Sequence, residues 1–312
     1  MDEFLDFLQI SPALETLHVD YSAPSVVENL QIMDWVGEEP DIPPPTRTLS
    51  LLKLRRLHLG DTTFNVKWLL SHLSIQTGTT LSFTYPLEVG VDYYVLVDTV
   101  SLAVPKDNFM SPTIRQINHL RFDVKRGGIL LDGYDHSDDD AKPGEPKLSM
   151  RFDDYFERDI GYLLANVMLE ISDVFRSSPL MTLVVIGEEH YINEDFLDVD
   201  VWRTTLYSFP LLQRLEFRGR PDTIALFEAL GSAPPQGTDA ILCPRLKKLY
   251  LDTEYSGIGK VTITAMHNSL AYRQAQGMRL QYLSLRPQLH INKRDLAKLN
   301  RVPVGTLDME LF

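Results

Sequence analysis

Apolar residues recur along this chain in a short phrase, Pro-x-Leu-x-x-Leu-x-apolar, in which x is mostly polar. Clear copies occupy residues 12–19, 210–217 and 244–251, and the leucine spacing recurs without the proline at 54–59 and 280–285. The first leucines of the last three clear copies lie at 212, 246 and 280, two equal intervals of 34 residues. Such self-similarity is typical of repeat proteins, in which each unit buries its apolar face against its neighbours.

Other copies fit the phrase less well, so the predicted repeat is irregular and its first half is looser than its second. They are Ile117–Leu120–Phe122, Met181–Val184–Ile186 and Val304–Leu307–Met309, with weaker candidates at Leu81–Phe83 and Leu148–Met150–Phe152.

Each copy predicts a turn followed by a strand. Proline fixes its own φ and favours an extended predecessor, which suits the entry to a strand. The closing Leu-x-apolar has period two and places both apolar side chains on one face. Between copies the apolar residues have helical spacing, as in Val66–Leu69–Leu70–Leu73, Ile224–Phe227–Leu230 and Ile263–Met266–Leu270. The predicted fold class is therefore α/β, a parallel sheet with helices outside.

The phrase followed by a helix resembles the longer, helix-containing kind of leucine-rich repeat. Residues 4–17 and 209–217 are similar to the repeat region of fungal F-box-like proteins. The resemblance covers nearly all of the chain. It implies a single irregular horseshoe solenoid over residues 1–312, with the parallel sheet on its concave side.

In that family the repeats form a substrate receptor, and a separate N-terminal F-box docks onto a cullin-type ubiquitin ligase. No F-box-like segment is seen before Ser11, so ligase subunits are expected as partners only if an F-box is present elsewhere. The asparagine that commonly follows the last apolar position is also replaced, which predicts uneven stacking. The residues in that position are Ser22, Thr62, Arg220, Glu254 and Gln288.

Charge and composition narrow the function further. The formal net charge of −13 argues against general nucleic-acid binding, which depends on neutralising phosphates. The single cysteine excludes an intramolecular disulfide framework. The acidic start lacks the pattern of a signal peptide, and no apolar run approaches a membrane span. These features predict a cytoplasmic or nuclear protein without membrane contact.

Much of the negative charge lies in residues 132–147, which are acidic and poor in apolar residues. This composition predicts a disordered insertion between repeats. A calcium loop of the EF-hand type starting at Asp135 would need Gly at its sixth position and Glu at its twelfth. The chain has Asp140 and Pro146 there, so no metal site is expected.

No catalytic motif is found, which predicts a non-enzymatic protein without cofactors. The chain has no Gly-x-Ser-x-Gly, phosphate loop or His-Glu-x-x-His sequence. Cys243 could serve as a nucleophile with His267 or His290 as base. It occupies the position before proline that Ser11, Ser178 and Phe209 hold in other copies, so packing at a turn is the favoured explanation.

In the repeat frame, the residues between and after the leucines point to the concave face. They include a set of cations and tyrosines, the residue types that favour interface anchoring: Arg56, His58, Arg121, Arg214, Arg218, Lys248, Tyr250, Tyr282 and Arg286. In the copy at Met181 the corresponding residues are Leu183, Val185 and Gly187.

This set predicts a protein-interaction module whose concave face binds an acidic or phosphorylated segment. With the resemblance, the function is substrate-receptor repeats of an F-box-like ligase component. The alternative is a stand-alone leucine-rich-repeat scaffold without a ubiquitin role. A simpler explanation for the polar residues is that exposed strand positions are polar for solubility.

Overall fold

The leucine phrases form strands of one large sheet. The computed structural model describes residues 2–20, 45–86, 111–125, 128–136, 144–153, 160–187, 197–218, 223–231, 241–253, 260–287, 294, 297–298 and 300–309. The strands in these ranges are β1 Thr16–Asp20, β2 Leu49–Ser50, β3 Arg56–Gly60, β4 Leu73–Ser74, β5 Thr80–Pro86, β6 His119–Lys125, β7 Gly128–Tyr134, β8 Leu148–Asp153, β9 Thr182–Gly187, β10 Arg214–Arg218, β11 Lys248–Thr253, β12 Tyr282–Pro287 and β13 Thr306–Met309. The helices are α1 Asp2–Gln9, α2 Thr63–Ser71, α3 Ser111–Ile114, α4 Ile160–Val174, α5 Val199–Tyr207, α6 Thr223–Gly231 and α7 Lys260–Ala275.

Eleven strands make the main sheet, in the order β1-β3-β5-β8-β7-β6-β9-β10-β11-β12-β13. All neighbours pair in parallel except β7, which is antiparallel to both β6 and β8. The small strands β2 and β4 form a separate parallel pair. The prediction of an α/β fold with a large parallel sheet and helices is confirmed, including the strands at the weaker candidate copies.

The middle of the sheet departs from the all-parallel arrangement that the repeat phrase predicts. Strands β6, β7 and β8 form a meander inserted in reversed order, so β5 pairs with β8, and β6 pairs with β9. The return from β8 to β9 crosses three strand intervals, about 14 Å at about 4.8 Å each. The helix α4 has 15 residues, about 22 Å in length, which is enough for this crossing.

Two ladders of apolar side chains run across the sheet on one face. The first joins Leu17, Leu57, Leu81, Leu148, Gly133, Leu120, Leu183, Leu215, Leu249, Leu283 and Leu307. The second joins Val19, Leu59, Phe83, Met150, Leu131, Phe122, Val185, Phe217, Leu251, Leu285 and Met309. Most members are almost fully buried, so truncating one leucine to alanine would cost about 2–5 kcal/mol.

The helices cover this apolar face. Residues of α4, α5, α6 and α7 belong to the same buried cluster as the ladders, and the Trp202 ring of α5 meets the Phe217 ring at 5.7 Å between centroids. The predicted helical segments around Val66, Phe227 and Met266 are confirmed. The sheet therefore has one face under helices and one face free of them among the described elements.

The predicted frame of the copy at Met181 is wrong by one residue. Leu183 and Val185 lie in the ladders and are fully buried, whereas Val184 and Ile186 pair across from outward residues of β10. The outward residue Val184 of β9 is also apolar and buried, at 7 % exposed. When both faces of a strand are buried, apolar and polar residues do not alternate, so the sequence does not show which residues face the helices.

The predicted insertion at 132–147 is also too wide. Asp132 and Tyr134 belong to β7, where they alternate with the buried Leu131 and Gly133. A Cβ on Gly133 would lie 2.6 Å from Ile117 Cδ1, so glycine is needed where β7 passes this side chain. Residues 144–147 are described as well, and 137–143 lie outside the described residues.

The turn before β11 is held by a buried arginine. Arg273 of α7 is fully buried and donates from both Nη atoms to the carbonyls of Leu242 and Cys243, each at 2.8 Å. Cys243 adopts φ +42°, and its thiol donates to Leu206 O at 3.2 Å. Burial raises the pKa of this thiol to about 12 despite the Arg273 charge. Cys243 is thus a buried turn residue, as its position before the proline of the repeat phrase predicts.

Candidate functional site

The side chains that alternate with the two ladders point away from the helices; we call this side of the sheet the polar face. Strand pairing places its central positions in one row from β1 to β13: His18, His58, Ser82, Ser149, Asp132, Arg121, Val184, Glu216, Tyr250, Ser284 and Asp308. Because neighbouring strands are only about 4.8 Å apart, adjacent members of this row are within reach of each other.

All nine predicted site residues lie on the polar face, but they do not form one basic stripe. Arg56 and His58 lie on β3, separated from Arg121 by β5, β8 and β7. The other six lie together on β10, β11 and β12: Arg214, Arg218, Lys248, Tyr250, Tyr282 and Arg286. The later strands are therefore the main candidate site.

Carboxylates accompany these cations on the polar face. Arg56 pairs with Glu145 at 3.2 Å, and Arg121 pairs with Asp123 of its own strand at 3.2 Å. The Tyr282 hydroxyl donates to Asp308 at 2.6 Å. That hydrogen bond, with some desolvation, raises the pKa of Tyr282 above its ordinary value. Arg56, Arg121 and the hydroxyl of Tyr282 are thus each paired with a carboxylate.

The densest pairing surrounds a buried carboxylate on β10, and we call Arg214, Glu216, Arg218 and Tyr250 the Glu216 cluster. Arg214 Nη2 donates to Glu216 Oε2 at 2.8 Å, and Arg218 Nε donates to Oε1 at 2.6 Å. The Glu216 side chain is 6 % exposed, against 20 % for Arg214 and 52 % for Arg218. The Arg214 guanidinium lies 4.5 Å from the Tyr250 ring centroid, within cation–π range.

The pKa of Glu216 lies below its ordinary value in this cluster. Burial alone would raise it, but the hydrogen bond from Arg214 and the charge and hydrogen bond of Arg218 outweigh that effect. Glu216 is therefore ionised at neutral pH, and it fixes the two guanidinium groups by charge-assisted hydrogen bonds.

A cavity of about 130 Å³ opens beside this cluster, between β10, β11 and β12. Its polar lining adds Asp252, Ser284 and Arg286 to the members of the Glu216 cluster. Three arginines and two carboxylates meet here, which leaves a local excess of positive charge on a chain of net charge −13. The arrangement suits binding of an anionic group by exposed arginine atoms.

His119 of β6 lies next to this region and is kept neutral. Burial and the nearby charge of Arg214 lower its pKa to about 4, against a smaller opposing effect of Glu216. Its ring packs against that of Tyr134 at 5.2 Å between centroids. Its Nε2 is buried and has no hydrogen-bond partner among the described residues.

A second cluster lies at the other end of the polar face, and we call His18, Asp20 and His58 the Asp20 cluster. His18 Nε2 lies 2.6 Å from Asp20 Oδ2, and His58 Nε2 lies 3.0 Å from Asp20 Oδ1. The hydrogen bond with His18 leads the effects that hold the pKa of Asp20 below its ordinary value, against a smaller contribution from burial. His58 Nδ1 also contacts Ser82 Oγ at 3.0 Å.

Sequence reasoning missed the Asp20 cluster because its only metal-site candidate was the calcium loop at Asp135, a motif of consecutive residues, whereas these three ligands come from two strands. The available signal was the repeat itself. His18 and His58 fall on equivalent positions of their copies, which in-register parallel pairing makes adjacent. A residue in the same position of consecutive repeats is a cross-strand neighbour, whatever its distance along the chain.

No protein-family model, curated protein or solved structure matches this chain. No helix in the described part of the chain is both long and apolar enough to cross a membrane.

Proposed function

We propose that this chain is a protein-interaction module that binds an acidic or phosphorylated segment at the Glu216 cluster. The observation that carries the proposal is the pair of arginines held in place by one buried carboxylate beside the cavity of about 130 Å³. Since Glu216 fixes both guanidinium groups in advance, less side-chain entropy is lost when a ligand binds.

The cations at this site differ in their exposure to solvent. Arg218 and Arg286 are exposed at the surface, whereas Arg214 is mostly covered and packs over Tyr250. The exposed guanidinium atoms would contact the anionic groups, because bidentate arginine contacts suit carboxylate and phosphate. Tyr250 and Tyr282 would supply apolar contact area at a low entropy cost.

The repeat phrase supports a more specific architecture within this proposal, an irregular leucine-rich-repeat solenoid whose concave side is the polar face. By resemblance to fungal F-box-like proteins, the module would be the substrate receptor of a ubiquitin ligase component in the cytoplasm or nucleus. The alternative is a stand-alone scaffold with the same binding face. Co-purification of ligase subunits with the full-length gene product separates the two.

The binding site is tested with a peptide array in which acidic sequences appear with and without phosphoserine. We expect the purified chain to select acidic or phosphorylated peptides, and Arg218→Glu with Arg286→Glu to weaken the selected peptide at least about tenfold. A charge-assisted hydrogen bond contributes about 1.5–3 kcal/mol, enough for that factor. Fluorescence anisotropy with the selected peptide measures the affinity.

A matched control reverses the same number of charges elsewhere. Arg176 and Arg301 are exposed and lie outside the polar face, so Arg176→Glu with Arg301→Glu should leave the affinity near that of the unchanged protein. Equal weakening by both double variants would reduce the effect to net charge. Unchanged binding after reversal at Arg218 and Arg286 would refute the proposed site.

A further inference from the structure

The Asp20 cluster is geometrically a set of three potential metal ligands. The two imidazoles and the carboxylate each offer one ligand atom, and these three atoms lie within 4.8 Å of one another. They come from the adjacent parallel strands β1 and β3, so the sheet fixes their backbone positions. A rigid element places ligands more reliably than a loop does.

We propose that His18, Asp20 and His58 bind one divalent transition-metal ion of the zinc class. The ligand atoms are the imidazole Nε2 atoms of both histidines and one oxygen of Asp20. This departs from the sequence-based expectation of no metal site, and it concerns the end of the polar face opposite the Glu216 cluster.

The ligand distances fit such an ion with small adjustments. Zinc ligands lie about 2.0–2.1 Å from the metal, so two ligands at a tetrahedral angle are about 3.3 Å apart. The two short contacts run to different oxygens of Asp20: His18 Nε2 lies 2.6 Å from Oδ2, and His58 Nε2 lies 3.0 Å from Oδ1. One ligand atom from each residue lies within 4.8 Å of the other two. Bringing every pair to the tetrahedral separation therefore needs changes of at most about 1.5 Å, which side-chain torsions provide.

Ser82 of β5 orients the His58 ring by contacting the ring nitrogen that does not face the metal. Its Oγ lies 3.0 Å from His58 Nδ1, and a serine hydroxyl can accept a hydrogen bond there. With the proton on Nδ1, the Nε2 lone pair of His58 faces the metal. Such a partner on the second imidazole nitrogen is the usual companion of a ligating histidine.

Gly60 leaves the space in which the carboxylate lies. A Cβ at this position would be 2.2 Å from Asp20 Oδ1, so any other residue would displace the carboxylate from His58. The absence of a side chain at Gly60 therefore permits the arrangement of all three ligands.

The ligand types select the class of ion. Imidazole nitrogen favours zinc, copper and nickel, whereas calcium and magnesium favour all-oxygen sites. Binding uses neutral imidazoles, so a proton that bridges an imidazole and Asp20 is released or moves to the other ring nitrogen as the metal enters. Three protein ligands leave a fourth position for water or for a side chain of a partner protein.

The test is a calorimetric titration of the full chain, without a histidine tag, with Zn²⁺ and separately with Mg²⁺. We expect one Zn²⁺ per chain and no Mg²⁺ binding under the same conditions. Co²⁺ should give the intense visible absorption of a four-coordinate ion. His18→Ala and His58→Ala should each weaken Zn²⁺ binding at least about tenfold, since each removes one of three ligands.

Two further variants separate a built site from histidines that merely lie at the surface. Gly60→Ala keeps all three ligands but displaces the carboxylate, so it should weaken binding, and Ser82→Ala should do so by about tenfold. The matched control is His136→Ala, an exposed histidine that pairs with Asp135 at 2.9 Å, and it should change nothing. Zn²⁺ binding that is absent, or equally weakened by His136→Ala, would overturn the proposal.

Discussion

The Glu216 cluster and the Asp20 cluster are two versions of one arrangement with different chemistry. In each, a carboxylate at an outward strand position bridges two basic side chains. Glu216 is 6 % exposed and sits between arginines of its own strand, whereas Asp20 is 44 % exposed and sits between histidines of two strands. Outward strand positions therefore hold a permanently charged cluster on β10 and a cluster of potential metal ligands on β1 and β3.

The difference teaches what burial and residue type each contribute. Arginine cannot lose its proton near neutral pH, so the charges of the Glu216 cluster are fixed and hold the surface around the cavity in place. Histidine can change its protonation state or bind a metal, so the Asp20 cluster can exchange its protons for an ion. The predictions below test this contrast, starting with the largest expected effect.

Glu216→Ala should lower the free energy of unfolding by about 2–4 kcal/mol, because it leaves Arg214 largely covered without its counter-charge. Urea denaturation followed by circular dichroism measures the change. Glu145→Ala is the matched control, since its ion pair with Arg56 is more than half exposed on both sides. It should stay within about 0.5 kcal/mol of the unchanged protein. A loss below about 1 kcal/mol for Glu216→Ala would contradict the assigned role.

His119 should make stability fall as the pH drops. Its pKa is about 4 in the folded state and about 6.5 in the unfolded chain, so the unfolded chain binds the proton first. The stabilisation is complete above about pH 6.5 and is lost progressively towards pH 4. We expect a contribution of about 1–2 kcal/mol after allowing for partial solvent screening.

The variant His119→Gln isolates this effect. Its free energy of unfolding, measured in urea from pH 7 to pH 5, should depend less steeply on pH than that of the unchanged protein. Identical slopes for the two proteins would show that His119 titrates equally in both states.

Asp20→Asn should have the smallest effect on stability, below about 0.5 kcal/mol without added metal, because exposed ion pairs contribute little. The same urea measurement at pH 7 tests it. With Zn²⁺ present, the unchanged protein should gain stability and the variant should gain less. A large loss without metal would place Asp20 with Glu216 as a structural carboxylate and remove the contrast.

The sequence predicted the fold well where apolar and polar positions alternate. The ladder residues of β10, β11 and β12 follow directly from the Leu-x-x-Leu-x-Leu spacing, and Gly277 ends α7 with φ +77° as a helix-closing glycine does. At β9 both Leu183 and Val184 are apolar and buried, so the pattern could not give the frame.

The repeat phrase predicts neither the meander of β6, β7 and β8 nor the pairing of charges on the polar face. The strand β7 lacks the proline turn because it is entered from a neighbouring strand, and nothing in Gly128–Tyr134 states its direction. The repeat frame puts Glu216 on the same face as Arg214 and Arg218, because the three alternate with buried residues of β10. The burial of Glu216 between these arginines depends on distances that spacing does not give.

The buried thiol of Cys243 can be used to measure how often the surrounding structure opens. The chain contains one thiol, and it is sealed beneath α7 by Arg273 and by contact with Leu206. Reaction with a small alkylating reagent requires that this region first open. Since no other cysteine contributes a background, the labelling rate of intact protein reports how often the packing around this turn opens. The effect of a bound peptide or metal on that opening could be timed without adding any probe.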